Sequence, residues 1–521
     1  MISTFNRLSQ AARHEQRGQS LVFTLAFAAV SGLAILLLFN NSKMANAKTS
    51  LQNAADAAAL AAATLQARDH NFSAYTNRAM IANQVSVAQF VSLKSYLNDA
   101  AGTRKRMDNR ITGWWNSGFP KSKSRWDNAK RLPIKEVDSL LGKLAPTSVK
   151  GLDALIKALS KAQALHHTGV EAEILFIAEE VAKKNDPAAS VNMLKSGFAL
   201  LFSWPKVRAW AEATRQHPAN TKAREADRFA DAVLHAESID GFTGNRGGLF
   251  LAGWTPTSVS QFRCPAASRS NTFFQFSHSG GTILSADKKR WLALDATLGV
   301  GEATCKWVIP IINVEIGAEH WPLADVNISP PQIGGSGGAV AGRSGGYEAN
   351  GYKKNASWSY TMARFLPSEG LRRYLSYGPG KTLDSGGGLQ DYYRDVADPL
   401  NKKPENQTPE KNGGATPITI EVERPIKGMR LANEVLAPSS GEAAMDVRLD
   451  DAAPGSKMRT LASAHAYFYR PKADGSEFTR KGWKRADRKT EMANLFNPYW
   501  QARLTETPAA ERAASAFGPA L

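Results

Sequence analysis

Cysteine is nearly absent from this chain: Cys264 and Cys305 are the only two in 521 residues. That excludes a disulfide-dense scaffold and a cysteine-rich zinc module. Close metal-ligand pairs are missing as well. Cys264, His278, Cys305 and His320 stand more than ten residues apart, whereas zinc modules use pairs such as C-x2-C. Long apolar runs are equally scarce. One run opens at Leu21 and closes on Phe39 without a charge; residues 198–204 are too short to span a bilayer, and residues 308–316 carry Pro310 and Glu315. No second membrane-spanning helix is therefore expected. Acids are in deficit, 47 against 65 bases, for a net charge of +18. A basic surface is drawn to anionic lipids, cell-surface polymers or DNA, and it also simply keeps a protein soluble.

The one apolar run organises everything else. At about 1.5 Å per residue, residues 21–39 reach roughly 28 Å, the hydrocarbon thickness of a bilayer. The apolar core of a cleaved signal is shorter. Arg7, Arg13 and Arg17 precede the run against Glu15. The positive-inside rule then keeps residues 1–18 in the cytoplasm and places residues 40–521 outside. Ala45-Asn46-Ala47 fits a small-x-small cleavage pattern, which would release a soluble protein, but helix-forming alanine continues through it. In that oxidising location the two cysteines read as one disulfide, Cys264 to Cys305, with two buried thiols as the alternative.

Four stretches carry a resemblance. Arg17-Gly18-Gln19-Ser20-Leu21-Val22 resembles the start of pilin-like proteins of the Tad (Flp) pilus system. Leu51-Gln52-Asn53-Ala54-Ala55-Asp56-Ala57-Ala58-Ala59-Leu60 resembles the segment after the membrane helix in TadE/TadG-like pilus-assembly proteins. Residues 74–84 (AYTNRAMIANQ) and 495–503 (LFNPYWQAR) are similar to segments of long members of that group. The resemblance implies a bacterial inner-membrane protein with one pass and a periplasmic bulk, acting in pilus assembly, surface adhesion and biofilm formation. It implies pilin-like proteins and the inner-membrane assembly platform as partners, and a candidate peptidase cut between Gly18 and Gln19. Processed members carry a glutamate five residues past the glycine. Here Phe23 stands there, which favours a permanent anchor. Some long members contain a von Willebrand A domain with an Asp-x-Ser-x-Ser metal loop, and no such loop occurs in this sequence.

The expected architecture is α+β: a transmembrane helix continuing into an Ala-rich, pilin-like helix, then a helical region and a β-rich C-terminal region. The boundaries are a tail at 1–18, a membrane helix at 19–39, an Ala-rich stem of one or two helices at 40–99, and a helical region with a basic-aromatic segment at 100–235. A β-rich module at 236–333, a Gly-rich linker at 334–357 and a mixed or β-rich region at 358–521 complete the chain. Ala54, Ala58 and Ala62 are candidates for lateral helix association, because small residues let helices approach closely. Arg104, Lys105, Arg106, Trp114 and Trp115 are candidate polyanion contacts, with a solvated loop as the plainer reading. Leu152, Leu155, Ile156, Leu159 and Leu165 predict one amphipathic helix capped at Thr147 or Ser148. Ile174, Ile177, Ala178 and Val181 predict a second, ended by Asn185-Asp186-Pro187, the two forming an antiparallel hairpin. A third helical stretch is expected from Pro205 towards Leu234. Short strands are expected within 249–252, 273–276, 291–294, 307–316, 418–422 and 464–469.

Catalytic motifs fail on context. Gly334 to Gly338 and Gly342 to Gly346 both match G-x-S-x-G, yet neither serine is followed by an apolar helix, as a nucleophile elbow requires. Residues 337–344 match a phosphate loop only with Arg343 in place of lysine. His166 and His167 are consecutive and so face different ways on a helix. The reading is a non-enzymatic, membrane-anchored component of a Tad/Flp-type pilus or secretion apparatus. It uses no cofactor, binds no specific nucleic acid, and has anionic cell-surface polymers as further candidate partners. The alternative is an anchored periplasmic hydrolase or a cell-wall- or polyanion-binding adhesion protein.

Overall fold

The computed structural model describes residues 2–118, 131–191, 193, 196–216, 233, 239–244, 246, 268–284, 290–309, 314–322, 336–342, 347–349, 417–426, 457–469, 483–484, 490–491 and 495–517. Side chains of 2–19 and 106–118, and of much of the sheet between 268 and 349, lie outside that description. The first helix, α1, runs Ile2–Gly118 as one element. Its length follows from composition. No proline occurs before Pro120, and the helix stops on a glycine two residues ahead of that proline, where an L-residue penalty and a ring clash would otherwise arise.

The second helix, α2, spans Ile134–Asn185. It starts directly after Pro133, whose fixed φ suits a helix entry, and ends before Asp186-Pro187. The expected antiparallel hairpin is therefore not formed: both predicted segments belong to one helix, and Thr147 and Ser148 lie inside it rather than capping it. The buried side explains this. Leu141, Ala145, Val149 and Ile156, then Val170, Ile174, Ala178 and Ala182, keep helical spacing on both sides of Gly169. A mid-helix glycine costs about 1 kcal/mol relative to alanine, which this continuous burial outweighs. A π-turn at Ala199–Ser203 leads into α3, Trp204–Thr214. A single turn, α4, occupies Gly241–Gly244.

The chain divides into two units. The first contains residues 1–71, 167–214 and 392–521. Its sheet has three antiparallel strands in the order β10-β7-β6, which are Trp500–Thr505, Lys457–Phe468 and Ile418–Pro425. Ser190 closes the outer edge of β6 through two backbone hydrogen bonds with Glu423. A two-stranded ribbon, β8 (Trp483–Lys484) with β9 (Thr490–Glu491), and a C-terminal helix α5 (Ala509–Phe517) complete it. The core joins Leu51 and the alanines of α1 to Val170 and Ile174 of α2, Trp210 of α3, and Ile418, Ile420, Val422, Ala464, Ala466 and Phe468 of the sheet.

The second unit contains residues 72–166 and 215–391. Its five-stranded antiparallel sheet is built on β2 (Arg290–Ile309). One edge of β2 pairs with β1 (Ser268–Leu284) from Trp291 through Trp307. The other edge is long enough for two partners: β4 (Ser336–Gly342) beside residues 290–296 and β3 (Val314–Pro322) beside residues 302–309. The short β5 (Tyr347–Ala349) adds to β4. Part of the glycine-serine tract expected as a linker, residues 336–342, is thus a paired strand. Alternation of small side chains costs a strand entropy but leaves its backbone donors intact.

Candidate functional site: the stem helix and two buried histidine sites

Among the described residues, 20–39 of α1 touch little else. Leu21, Val22, Phe23, Leu25, Phe27 and Val30 are exposed, as are Ile35, Leu37, Leu38 and Phe39. Thr24 satisfies its hydroxyl within the helix on the Ser20 carbonyl at 2.6 Å. Lys43 stacks its ammonium over the Phe39 ring, 5.5 Å from the centroid, where charge returns to the sequence. This segment is long and apolar enough to cross a membrane. Gly18 and Gln19 lie in the same helix, with side chains outside the description.

Beyond residue 50 the same helix is covered. Leu51, Ala54, Ala55, Ala58, Ala59, Ala62 and Ala63 are all fully buried in the core of the first unit. Their i, i+3, i+4, i+7 spacing makes a broad flat face that a sheet can approach closely. Ala54, Ala58 and Ala62 therefore pack against this chain's own residues. Gln52 tightens that contact: its amide donates to the Leu461 carbonyl at 3.3 Å and accepts from the Thr460 hydroxyl, both on β7. Asn71 does the same for β10. Its amide donates to the Trp500 carbonyl and accepts from the Trp500 amide, each at 2.9 Å, reproducing the bonding of a neighbouring strand. The segments 51–60 and 495–503, far apart in sequence, thus meet in one core.

Two histidines sit beside that contact. His167 is buried, with Nδ1 2.7 Å from the Asp69 carboxylate and Nε2 2.9 Å from the Ala211 carbonyl. Burial alone would lower its pKa, but the hydrogen bond and charge of Asp69 and the Ala211 carbonyl raise it above the ordinary value. His70 behaves oppositely. Its Nε2 accepts from the Trp210 indole at 2.8 Å, and its ring meets Trp500 edge-on at 4.5 Å. Desolvation dominates there and pushes its pKa down to about 3, so the ring is neutral.

The second unit holds a denser network. Arg246 is fully buried and grips Asp295 through two bonds, Nε at 2.7 Å and Nη2 at 2.8 Å. His278 stands between two carboxylates, Nδ1 3.2 Å from Asp99 and Nε2 3.2 Å from Asp295. Burial works against its charge, but the hydrogen bonds and charges of Asp295 and Asp99 prevail and raise its pKa to about 9. Thr282 links Arg246 at 2.9 Å to Ser92 on α1 at 2.6 Å. Tyr96 packs edge-on against His278, and burial, reinforced by the Asp295 and Asp99 charges, raises its phenol to about 12.

These geometries bear on catalysis. A histidine that activates a nucleophile needs one ring nitrogen on its carboxylate and the other on the nucleophile. In His167 and His278 both nitrogens are already taken by carboxylates or a carbonyl. What remains is a pair of buried electrostatic clasps, each holding α1 to elements distant in sequence.

The sequence offered His278 only as one of four residues too widely spaced for a zinc module, and it singled out neither Asp69, Asp99, Arg246 nor Asp295. No spacing rule links them, since Arg246 and Asp295 are 49 residues apart. Of the basic-aromatic candidates, Arg104 donates to the Leu132 carbonyl at 3.2 Å and Lys105 is exposed. Arg106, Trp114 and Trp115 lie on α1 with side chains outside the described residues. Cys264 lies outside them too, and Cys305 is described only as a backbone position of β2, opposite Ser270.

The molecule is an α+β protein whose long N-terminal helix is apolar and exposed at one end and alanine-packed beyond it. Residues 18–67 match the family model of putative Flp pilus-assembly TadE/G-like proteins. That match covers both the exposed apolar segment and the alanine face, as the resemblance in the sequence implied. No curated protein and no solved structure matches the chain.

Proposed function

We propose that this protein is a membrane-anchored, non-enzymatic component of a Flp (Tad)-type pilus or secretion apparatus, acting in pilus assembly and surface adhesion. The observation that carries the reading is the overlap of the family match at 18–67 with an exposed helix long and apolar enough to cross a membrane. The helix holds the chain in the bacterial inner membrane with its N-terminus inside, following the arginines before residue 18. Phe23 favours a permanent anchor over a processed subunit. The partners are pilin-like proteins and the assembly platform, reached by the two folded units on the periplasmic side.

A paired substitution, Leu25→Arg with Leu33→Arg, tests the anchor. Each charge near a helix centre costs about 2.5–3.5 kcal/mol of insertion. The expected outcome is loss of the protein from the carbonate-resistant membrane fraction together with loss of surface pili in a strain that relies on this copy. Piliation that survives deletion of the whole chain would overturn the reading.

A further inference from the structure

We propose that the end of the first unit beside the apolar segment is a binding surface for the headgroup phosphates of anionic phospholipids. The surface rests on the membrane-anchor reading, because α1 fixes its height above the bilayer. The apolar run ends at Phe39, and Lys43 stands about 6 Å further along the helix. Headgroups fill roughly the first 5–8 Å beyond the hydrocarbon edge. Strand β7 follows the same rod. Thr460 and Leu461 bond Gln52, while Phe468 pairs with Trp500, which bonds Asn71. From 460 to 468 the strand rises about 27 Å, and from 52 to 71 the helix rises about 28 Å, so the two run alongside. In the other direction, Lys457 lies about 10 Å before Thr460, equal to about seven residues of α1 before Gln52. The start of β7 is therefore level with residues 43–48. Met44 and Ala47 are half-buried there, and Met458 packs on the core of the unit.

The side chains at this end are basic. Lys43 and Lys48 are exposed, and neither has an acidic partner among the described residues. Helical side chains lean towards the N-terminus, which here is towards the bilayer. Lys43 shows it, with its ammonium over the Phe39 ring. On β7, Lys457 and Arg459 share one carboxylate, Glu423, so positive charge is left over. On β6, Arg424 holds Asp186 at 2.8 Å. Partly exposed pairs such as Lys457 with Glu423 are weak, and a phosphate can exchange into them. Each basic group beside an anionic surface favours binding by about fivefold. A continuous helix holds this end facing the bilayer, so the phosphates that meet it are those of lipids.

The test uses the full chain in nanodiscs of phosphatidylcholine and phosphatidylglycerol in equal parts. A photo-crosslinking benzophenone amino acid replaces Pro425, exposed on β6 opposite Lys457, in one preparation. It replaces Leu504 in a second and Leu25 in a third. Leu504 pairs with Ala464, about 24 Å further along β7 than Lys457. The expected result is lipid adducts at position 425, enriched roughly fivefold in phosphatidylglycerol, and none at position 504. High salt should bring the two lipids to an even ratio at 425. Combining Lys43→Gln, Lys48→Gln and Lys457→Gln should do the same; all three side chains are exposed, and the salt result stands whether or not this variant folds. No lipid adducts at 425, an even ratio there at low salt, or equal adducts at 504 overturn the surface. Absence of lipid adducts at position 25 overturns the anchor instead, and the two failures are read separately.

Discussion

At the scale of single residues, the protein places several polar groups where their neighbours decide their chemistry. Gln163 shows the favourable case: its amide reaches the Ser73 carbonyl, the Thr76 hydroxyl and the Asn77 side chain, and accepts from Gln216 at 3.0 Å. Gln66 shows the opposite. It is fully buried in α1, and neither its amide nitrogen nor its oxygen has a hydrogen-bond partner among the described residues. An unmade buried hydrogen bond costs about 1–3 kcal/mol, and an apolar group of the same shape avoids it. Gln66→Met should therefore stabilise the protein by roughly 1 kcal/mol or more, read as a higher midpoint in urea unfolding. A destabilised Met variant would mean that the amide is used. Residues 66, 69, 70 and 71 were all visible as polar letters in a helical stretch. Their burial was not, because the surface that covers them comes from residues 167–211 and 500.

At the scale of elements, α1 carries two chemistries on one rod. Residues 21–39 are apolar all round and exposed, whereas residues 51–67 are small on one side and covered there. That difference predicts how substitutions behave. Ala58→Leu adds three carbons to a site with no free surface, and overpacking of this kind costs about 1–3 kcal/mol. Leu60→Ala, on the outer side, should change stability by no more than about 0.5 kcal/mol. Thermal unfolding of the two variants checks both, and equal effects would contradict the burial pattern. The alanine periodicity in the sequence marks a face of small side chains, which the structure buries. Whether that face meets another molecule or this chain's own sheet depended on strands more than 350 residues away, and Gln52 shows the answer in its bonds to Thr460 and Leu461. The merging of two expected helices into α2 has the same origin: burial on both sides of Gly169 overrides the local cost of that glycine.

At the scale of the whole molecule, the two units carry differently poised histidines: the first holds two kept neutral and one favoured in its charged form, and the second holds one favoured in its charged form. In the first unit His70 is held down at about 3 and His465 at about 4, the latter by burial and by the Arg503 charge. Each stays neutral while the unfolded chain takes up a proton, so the stability they contribute is present above about pH 6.5 and lost as pH falls towards those values. His167, held above its ordinary value, adds a decline on the alkaline side. In the second unit His278 is raised to about 9. Its contribution is complete below about pH 6.5 and is lost as pH rises through 9. Hydrogen exchange, corrected for intrinsic rates, should show residues 54–70 opening more readily from pH 6.5 to 4 and residues 278–295 from pH 6.5 to 9. His278→Gln should abolish the alkaline change. No added opening of residues 54–70 on acidification, or none of residues 278–295 on the alkaline side, would refute the assignment of these histidines.

The sequence by itself determined the features that depend on neighbours along the chain. Nineteen uncharged residues make a membrane-length helix, alanine at helical spacing makes a packing face, and the order of these two segments is what the family match at 18–67 recognises. The strand expected within 418–422 was legible in the same way and extends to Pro425, whereas the one expected within 464–469 begins earlier, at Lys457. The tertiary structure alone decided everything that depends on what lies opposite. It set the alanine face against the protein's own sheet and paired Asp69 with His167 and Asp295 with Arg246. Burial and charge pairing are properties of surfaces brought together from distant parts of the chain, and no local pattern encodes the partner.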